Sequence, residues 1–169
     1  IMPSLVGSEM CIRDRPEIID LCAKKRCSYI IMHMLGTPDT MQKKPVYEDV
    51  VLDIKQFLES KIEQCIRAGL DKKNIVIDPG IGFGKTREHN LLLLKNVTVF
   101  VETGYAVLMG TSRKGFMGSI CKVDAPNELV GATAATTALG VYAGVKLFRV
   151  HDVKPNRQAA DVAWTILNS

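Results

Sequence analysis

The residues with chemistry to offer fall into four short clusters. They are His33, then Asp78 with the glycine-rich stretch 79–85, then Ser112-Arg113-Lys114, then Arg149 with His151. Asp78 follows Ile-Val-Ile and precedes Pro79-Gly80, so its carboxylate is poorly solvated and needs donors. It can cap its own loop. It can equally accept, through two oxygens, from a ring N–H and an amino group of a ligand. Arg149 and His151 bracket Val150 and share one side of an extended chain, where two adjacent donors suit an oxyanion or phosphate. A core histidine bonded to its neighbours is the plainer reading of His151. Ser112, Arg113 and Lys114 lie in a glycine-bounded loop, which favours anion contact over solvated surface charge.

The glycine-rich stretch Asp-Pro-Gly-Ile-Gly-Phe-Gly-Lys-Thr is not a P-loop, because three residues rather than four separate Gly80 from Gly84-Lys85. Nor does it match Gly-x-Gly-x-x-Gly. Three alternating glycines let backbone approach a ligand closely. Phe83 between them either stacks on a flat substrate or packs beneath the loop. Met32, Met34 and Met41 flank the first loop, as core filling or as an adaptable wall. The histidines at 33, 89 and 151 have no zinc-type spacing.

These clusters have to be held by regular elements. Apolar, β-branched runs predict strands at 28–32, 74–78, 105–109 and 145–150. Helices are predicted at 16–25, at 48–68 closed by Gly69, from about 88 through the leucines 91–94, and at 124–142. A last helix, capped by Asp152, is expected to bury Ala159, Ala160, Val162, Ala163, Ile166 and Leu167. Strand then helix, four times, with near-continuous apolar strands, implies an α/β fold with a parallel sheet and helices outside. In such a fold the C-terminal ends of all strands lie on one face, and each of the four clusters follows a strand.

Composition narrows the class. Of 169 residues, 47% are hydrophobic and 24% charged, with a net charge of +4, which excludes a disordered chain. No apolar run approaches the ~20 residues of a membrane span. The basic residues are dispersed, which argues against nucleic acid as a partner. Five cysteines without Cys-x-x-Cys suggest free thiols. Residues 1–15 show neither period and are expected to be non-native sequence or a disordered tail. Residues 16–169 are expected to form one domain.

Four motifs in register, Ile-Met-His-Met-Leu-Gly-Thr-Pro-Asp-Thr-Met-Gln, Ile-Asp-Pro-Gly-Ile-Gly-Phe-Gly-Lys, Met-Gly-Thr-Ser-Arg-Lys-Gly-Phe and Phe-Arg-Val-His-Asp-Val, closely resemble the dihydropteroate synthase family. The resemblance runs from about residue 16 to the end. It implies a parallel (β/α)8 TIM barrel of which about the C-terminal half, four βα units, is present. It implies a transferase of folate biosynthesis that joins 6-hydroxymethyl-7,8-dihydropterin diphosphate to 4-aminobenzoate. The enzymes are generally cytoplasmic, usually homodimeric and helped by Mg2+.

By resemblance, Asp78 and Met32 would bind the pterin and Phe83 would line the aminobenzoate pocket. Lys114 would contact both substrates. Ser112, Arg149 and His151 would form the diphosphate anion site, with Lys114, Arg149 and His151 as the catalytic residues. The family's metal-contacting Asn, and a further pterin-binding Asp and Asn, belong to strands and loops absent from this sequence, so little turnover is expected of the chain by itself. Gly115 stands where many members have Ser. The alternatives are a pterin-dependent methyltransferase of the same barrel family and a non-catalytic pterin- or diphosphate-binding module.

Overall fold

The computed structural model describes residues 16–36 and 45–169. The expectations for residues 1–15 and for Met41 lie outside these. The chain runs α1 (Pro16–Lys25), β1 (Tyr29–Met32), α2 (Val50–Arg67), β2 (Ile75–Asp78), α3 (Arg87–Lys95), α4 (Thr98–Val101), β3 (Ala106–Met109), α5 (Gly115–Cys121), α6 (Val130–Tyr142), β4 (Leu147–Phe148) and α7 (Val153–Leu167).

The four strands lie in the order β1-β2-β3-β4, and every pair is parallel. A doubly wound sheet reverses its order at a switch point, whereas an unbroken sequential order is an arc of a (β/α)8 barrel. The architecture is therefore α/β of TIM-barrel type with four strands. Register brings the chemistry level: Met32 at the end of β1 pairs with Asp78 at the end of β2.

Each element forms for local reasons. Helix α2 starts where the Asp49 carboxylate accepts the amide protons of Val51 and Leu52 at 2.9 and 3.0 Å. Its buried residues Val50, Ile54, Leu58, Ile62 and Cys65 recur every three or four positions and meet the sheet. Helix α3 opens with a capping box between Thr86 and His89. Strand β2 is buried at all four positions, as a central parallel strand should be. Its core partners include Phe100, Leu93 and Val107.

Three expectations need correction. Strand β4 is two residues long and partly exposed, rather than a buried strand over 145–150. It pairs only with β3 among the described residues, which leaves it an edge. Helix α7 buries Ala163 as expected, together with Asn156, but leaves Val162 61%, Ile166 57% and Leu167 45% exposed. A hydrogen bond from Thr137 of α6 to Asn156 of α7 lies in the buried seam between the two helices. Third, Asp152 stands at the N-cap of α7 but makes no capping hydrogen bond, because its carboxylate is engaged by Arg113. Helices α4 and α5 were not foreseen; the second is a seven-residue helix that the glycines at 115 and 118 disguise.

Candidate active site

All four clusters meet at the C-terminal end of the sheet. Asp78 is 7% exposed and its Oδ1 accepts the Gly80 amide proton at 2.7 Å. Burial pushes its carboxyl above the usual carboxylate range. The Gly80 N–H opposes this, and then the charges of Lys114, Lys85 and Arg149. Part of the loop-capping reading is thus correct, yet one amide does not exhaust a carboxylate with about four acceptor positions.

The glycine loop is bent tightly around its neighbours. Gly80 has φ +69°, and a Cβ there would lie 1.8 Å from the His33 carbonyl oxygen. The His33 amide in turn donates to the Asp78 carbonyl at 3.0 Å, which stitches the ends of β1 and β2 together. Gly82 is equally constrained: a side chain there would collide with the Lys114 stem. Its amide donates to buried Asn90 Oδ1 at 2.7 Å, and Asn90 Nδ2 donates to the Thr86 carbonyl at 2.8 Å. Tyr47 closes the far end by donating to the Gly84 carbonyl at 2.8 Å.

Lys114 reaches across from the loop after β3. Its ammonium donates to the Ile81 carbonyl and lies 4.4 Å from the centre of the Phe83 ring. Burial drives it down to about 8. The Asp78 charge raises it and Arg149 lowers it further. Phe83 is half-buried, consistent with a ring that both packs under the loop and offers a face. Met32 is half-buried and in register with Asp78, whereas Met34 is buried.

The third and fourth clusters join through a pair of hydrogen bonds. Ser112 Oγ lies 2.9 Å from His151 Nδ1 and accepts the His151 amide proton at 3.1 Å. When the hydroxyl donates to Nδ1, the ring proton is left on Nε2. Arg149 is exposed, with its amide bonded to the Met109 carbonyl at 3.1 Å. Arg113 behaves differently from its neighbours. It has φ +58°, and its guanidinium binds Asp152 through two hydrogen bonds at 3.1 and 2.8 Å. It is an internal strut between the two loops rather than an anion ligand.

Sequence reasoning singled out His33 but missed the supports around it. Lys85 is 4% exposed and His33 is 6% exposed, and their Nζ and Nδ1 atoms lie 3.0 Å apart. A lysine closing a glycine-rich motif was a visible signal, but its burial was not. The threonines of α6 carried none. Thr133 accepts the Arg113 amide proton at 3.3 Å, Thr111 and Thr136 share a hydrogen bond at 2.7 Å, and Thr137 donates to Asn156 at 2.7 Å.

Among the described residues no group of three or more His, Cys, Asp or Glu is placed to hold a metal ion. Among the described residues no helix is long and apolar enough to cross a membrane.

The comparisons agree with this arrangement. The dihydropteroate synthase of Haemophilus influenzae is 41% identical over 138 residues, 82% of this chain and 50% of that protein. That of Neisseria meningitidis serogroup C is 40% identical over 165 residues, 96% of this chain and 58% of that protein. The chain thus spans about half the length of the curated relatives it matches. Among solved structures, Yersinia pestis dihydropteroate synthase with a sulfonamide drug superposes with a TM-score of 0.88 at 33% identity, covering 92% of this chain and 56% of that one. The Thermus thermophilus enzyme in complex with 4-aminobenzoate gives 0.86 at 38% identity, covering 92% and 63%. Residues 4–151 match the model of one family across the four loops just described, and the chain belongs to that family, the pterin binding enzymes.

Proposed function

We propose that the protein is a dihydropteroate synthase, or the part of one that carries the second half of the barrel. It condenses 6-hydroxymethyl-7,8-dihydropterin diphosphate with 4-aminobenzoate to give 7,8-dihydropteroate and pyrophosphate. One observation carries the reading: a buried carboxylate, Asp78, lies among the charges of Lys114 and Arg149, with the Ser112–His151 pair at the same end of the sheet. The likeness to the Thermus thermophilus structures in complex with 4-aminobenzoate and with 6HMPPP supports the substrate pair.

Asp78 accepts from the amino and ring N–H groups of the pterin, as an acceptor whose remaining positions face two donors. Met32 packs on the ring. Phe83 lines the place of the aminobenzoate, and Lys114 lies between the two substrates. Arg149, His151 and Ser112 receive the diphosphate. Its departure leaves a delocalised pterin cation at the exocyclic carbon, and the arylamine nitrogen attacks there. The positive groups stabilise the leaving oxygens. The arylamine is neutral at pH 7, so the protein's task is alignment and electrostatics rather than strong base catalysis. Mg2+ is proposed on the resemblance alone, as a further positive charge for the departing diphosphate. A cytoplasmic, homodimeric enzyme is proposed on the same ground.

The Ser112–His151 pair beside Arg149 favours diphosphate chemistry over the methyltransferase alternative. Calorimetry with 6-hydroxymethyl-7,8-dihydropterin diphosphate tests the reading. Binding is expected, with loss of at least about tenfold in Asp78→Asn, since one charge-assisted hydrogen bond is worth that much. Equal binding by the variant overturns it. The 169-residue chain alone is expected to bind with little turnover, and turnover is expected when the strands bearing the remaining pterin contacts accompany it. Binding that never leads to dihydropteroate under either condition favours a non-catalytic module.

A further inference from the structure

The reaction described above has no use for Lys85 or His33, yet both are buried at the floor of the site. Lys85 Nζ donates to the Phe83 carbonyl at 2.9 Å and lies 3.0 Å from His33 Nδ1. The His33 ring is itself fixed, edge-on to Phe57 of α2 at 5.0 Å and tilted against Tyr47 at 6.0 Å. Lys85 comes from the loop after β2 and His33 from the end of β1, so the contact spans two βα units.

We propose that Lys85 and His33 form a buried proton-sharing pair that positions the glycine loop and sets the charge beneath Asp78, with Lys85 acting through the Phe83 carbonyl and through its field. The carbonyl can only accept, so Lys85 is the donor there. Toward His33 two arrangements fit one distance. An ammonium donates to Nδ1, leaving the ring proton on Nε2. A neutral amine accepts from an Nδ1–H. The contact survives either way, and only the location of one proton differs.

The surroundings decide between them. Burial drives the Lys85 ammonium down to about 7, the Asp78 charge pulls it up, and Lys114 pushes it down. Tyr47, held at about 12 by burial, contributes no charge, and His89 is edge-on to Tyr47 at 5.0 Å. Arg149 acts at one remove, through Asp78. Below about pH 7, with Asp78 ionised, the ammonium form is the one the site selects. Losing it would leave the Asp78 carboxylate with one fewer positive neighbour and the Phe83 carbonyl untied.

The ligand in this proposal rests on the pterin reading, but the pair does not. Two measurements separate them. Nitrogen-15 NMR of the protein at pH 6 is expected to show His33 neutral with its proton on Nε2. A proton on Nδ1, in a neutral ring or an imidazolium, means that Lys85 does not donate there and overturns the charge assigned to it, whether or not any pterin binds. The pH profile of affinity for 6-hydroxymethyl-7,8-dihydropterin diphosphate is then compared between the unchanged protein and Lys85→Met. The acid limb, where Asp78 takes up a proton, is expected to move up by about one pH unit, the scale of one nearby opposite charge. An unmoved limb with uniformly weaker binding marks a merely structural lysine and overturns the proposal. If the unchanged protein binds no pterin at any pH, the functional reading falls. If Lys85→Met does not fold, the NMR result decides alone.

Discussion

Arg113 and Asp152 lock the loop after β3 to the start of α7 through two parallel hydrogen bonds at 3.1 and 2.8 Å. The planar fork of the guanidinium matches the carboxylate, and the Asp152 carboxyl is held below its usual range chiefly by that bond. Ser112 and His151 are the immediate neighbours of these two residues, so the strut fixes the spacing of the proposed anion site. Arg113→Met is expected to slow the reaction by up to about 10²-fold, as misplacement of a reacting group does, with pterin affinity little changed. Steady-state kinetics alongside pterin titration checks this. A matched loss of pterin binding would mean the strut supports the whole face.

Lys114 makes the site less stable than it would be without a buried charge. Its folded value is about 8 against 10.5 for a free lysine. Between those values the unfolded chain binds more protons than the folded one, so stability from this group rises with pH through that window. Below pH 8 both states are protonated and the burial cost is fully present. Lys114→Met is therefore expected to stabilise the fold by up to about 3 kcal/mol at pH 7, a gain that fades toward pH 10.5, while pterin binding weakens. Urea melts of both proteins at the two pH values test it. A difference independent of pH contradicts it.

Two glycines should respond oppositely. At Gly80 a methyl group would overlap the His33 carbonyl oxygen, in a backbone conformation that side chains rarely adopt. Gly80→Ala is expected to cost at least about 3 kcal/mol and to abolish pterin binding. At Gly115 an added Cβ meets nothing within 4 Å. Gly115→Ser should change stability by no more than about 0.5 kcal/mol. Thermal melts of the pair suffice.

The α6–α7 seam rests on one buried hydrogen bond, Thr137 to Asn156 at 2.7 Å. Thr137→Val keeps the shape and removes the donor, leaving Asn156 Oδ1 without it in the interior. The expected loss is about 1–3 kcal/mol, read by chemical denaturation. No loss would mean that water replaces the hydroxyl.

Much of this architecture was legible in the sequence because period and position carry it. The apolar run before Asp78 announced β2, and the strand-ending placement of Asp78, Lys114 and His151 announced the face. What was not legible depended on partners far along the chain. Asp152 has the type and place of a helix cap, and only the arrival of Arg113 redirects it. Val162, Ile166 and Leu167 read as a buried stripe, yet they face outward, while Asn156 is buried and accepts from Thr137 across the α6–α7 seam. Lys85 carried a charge that pattern reading assigns to solvent, and the glycines beside it let the chain fold over it.

The bonds that assemble the site join residues far apart in sequence. Thirty-nine positions separate Ser112 from His151, thirty-nine Arg113 from Asp152, thirty-three Lys114 from Ile81, and fifty-two Lys85 from His33. Each closes a long loop, whose entropy is repaid only after neighbouring strands have docked. The chemical face is thus among the last features to appear as the chain folds and among the first to be lost as it opens. No excised βα unit can retain it.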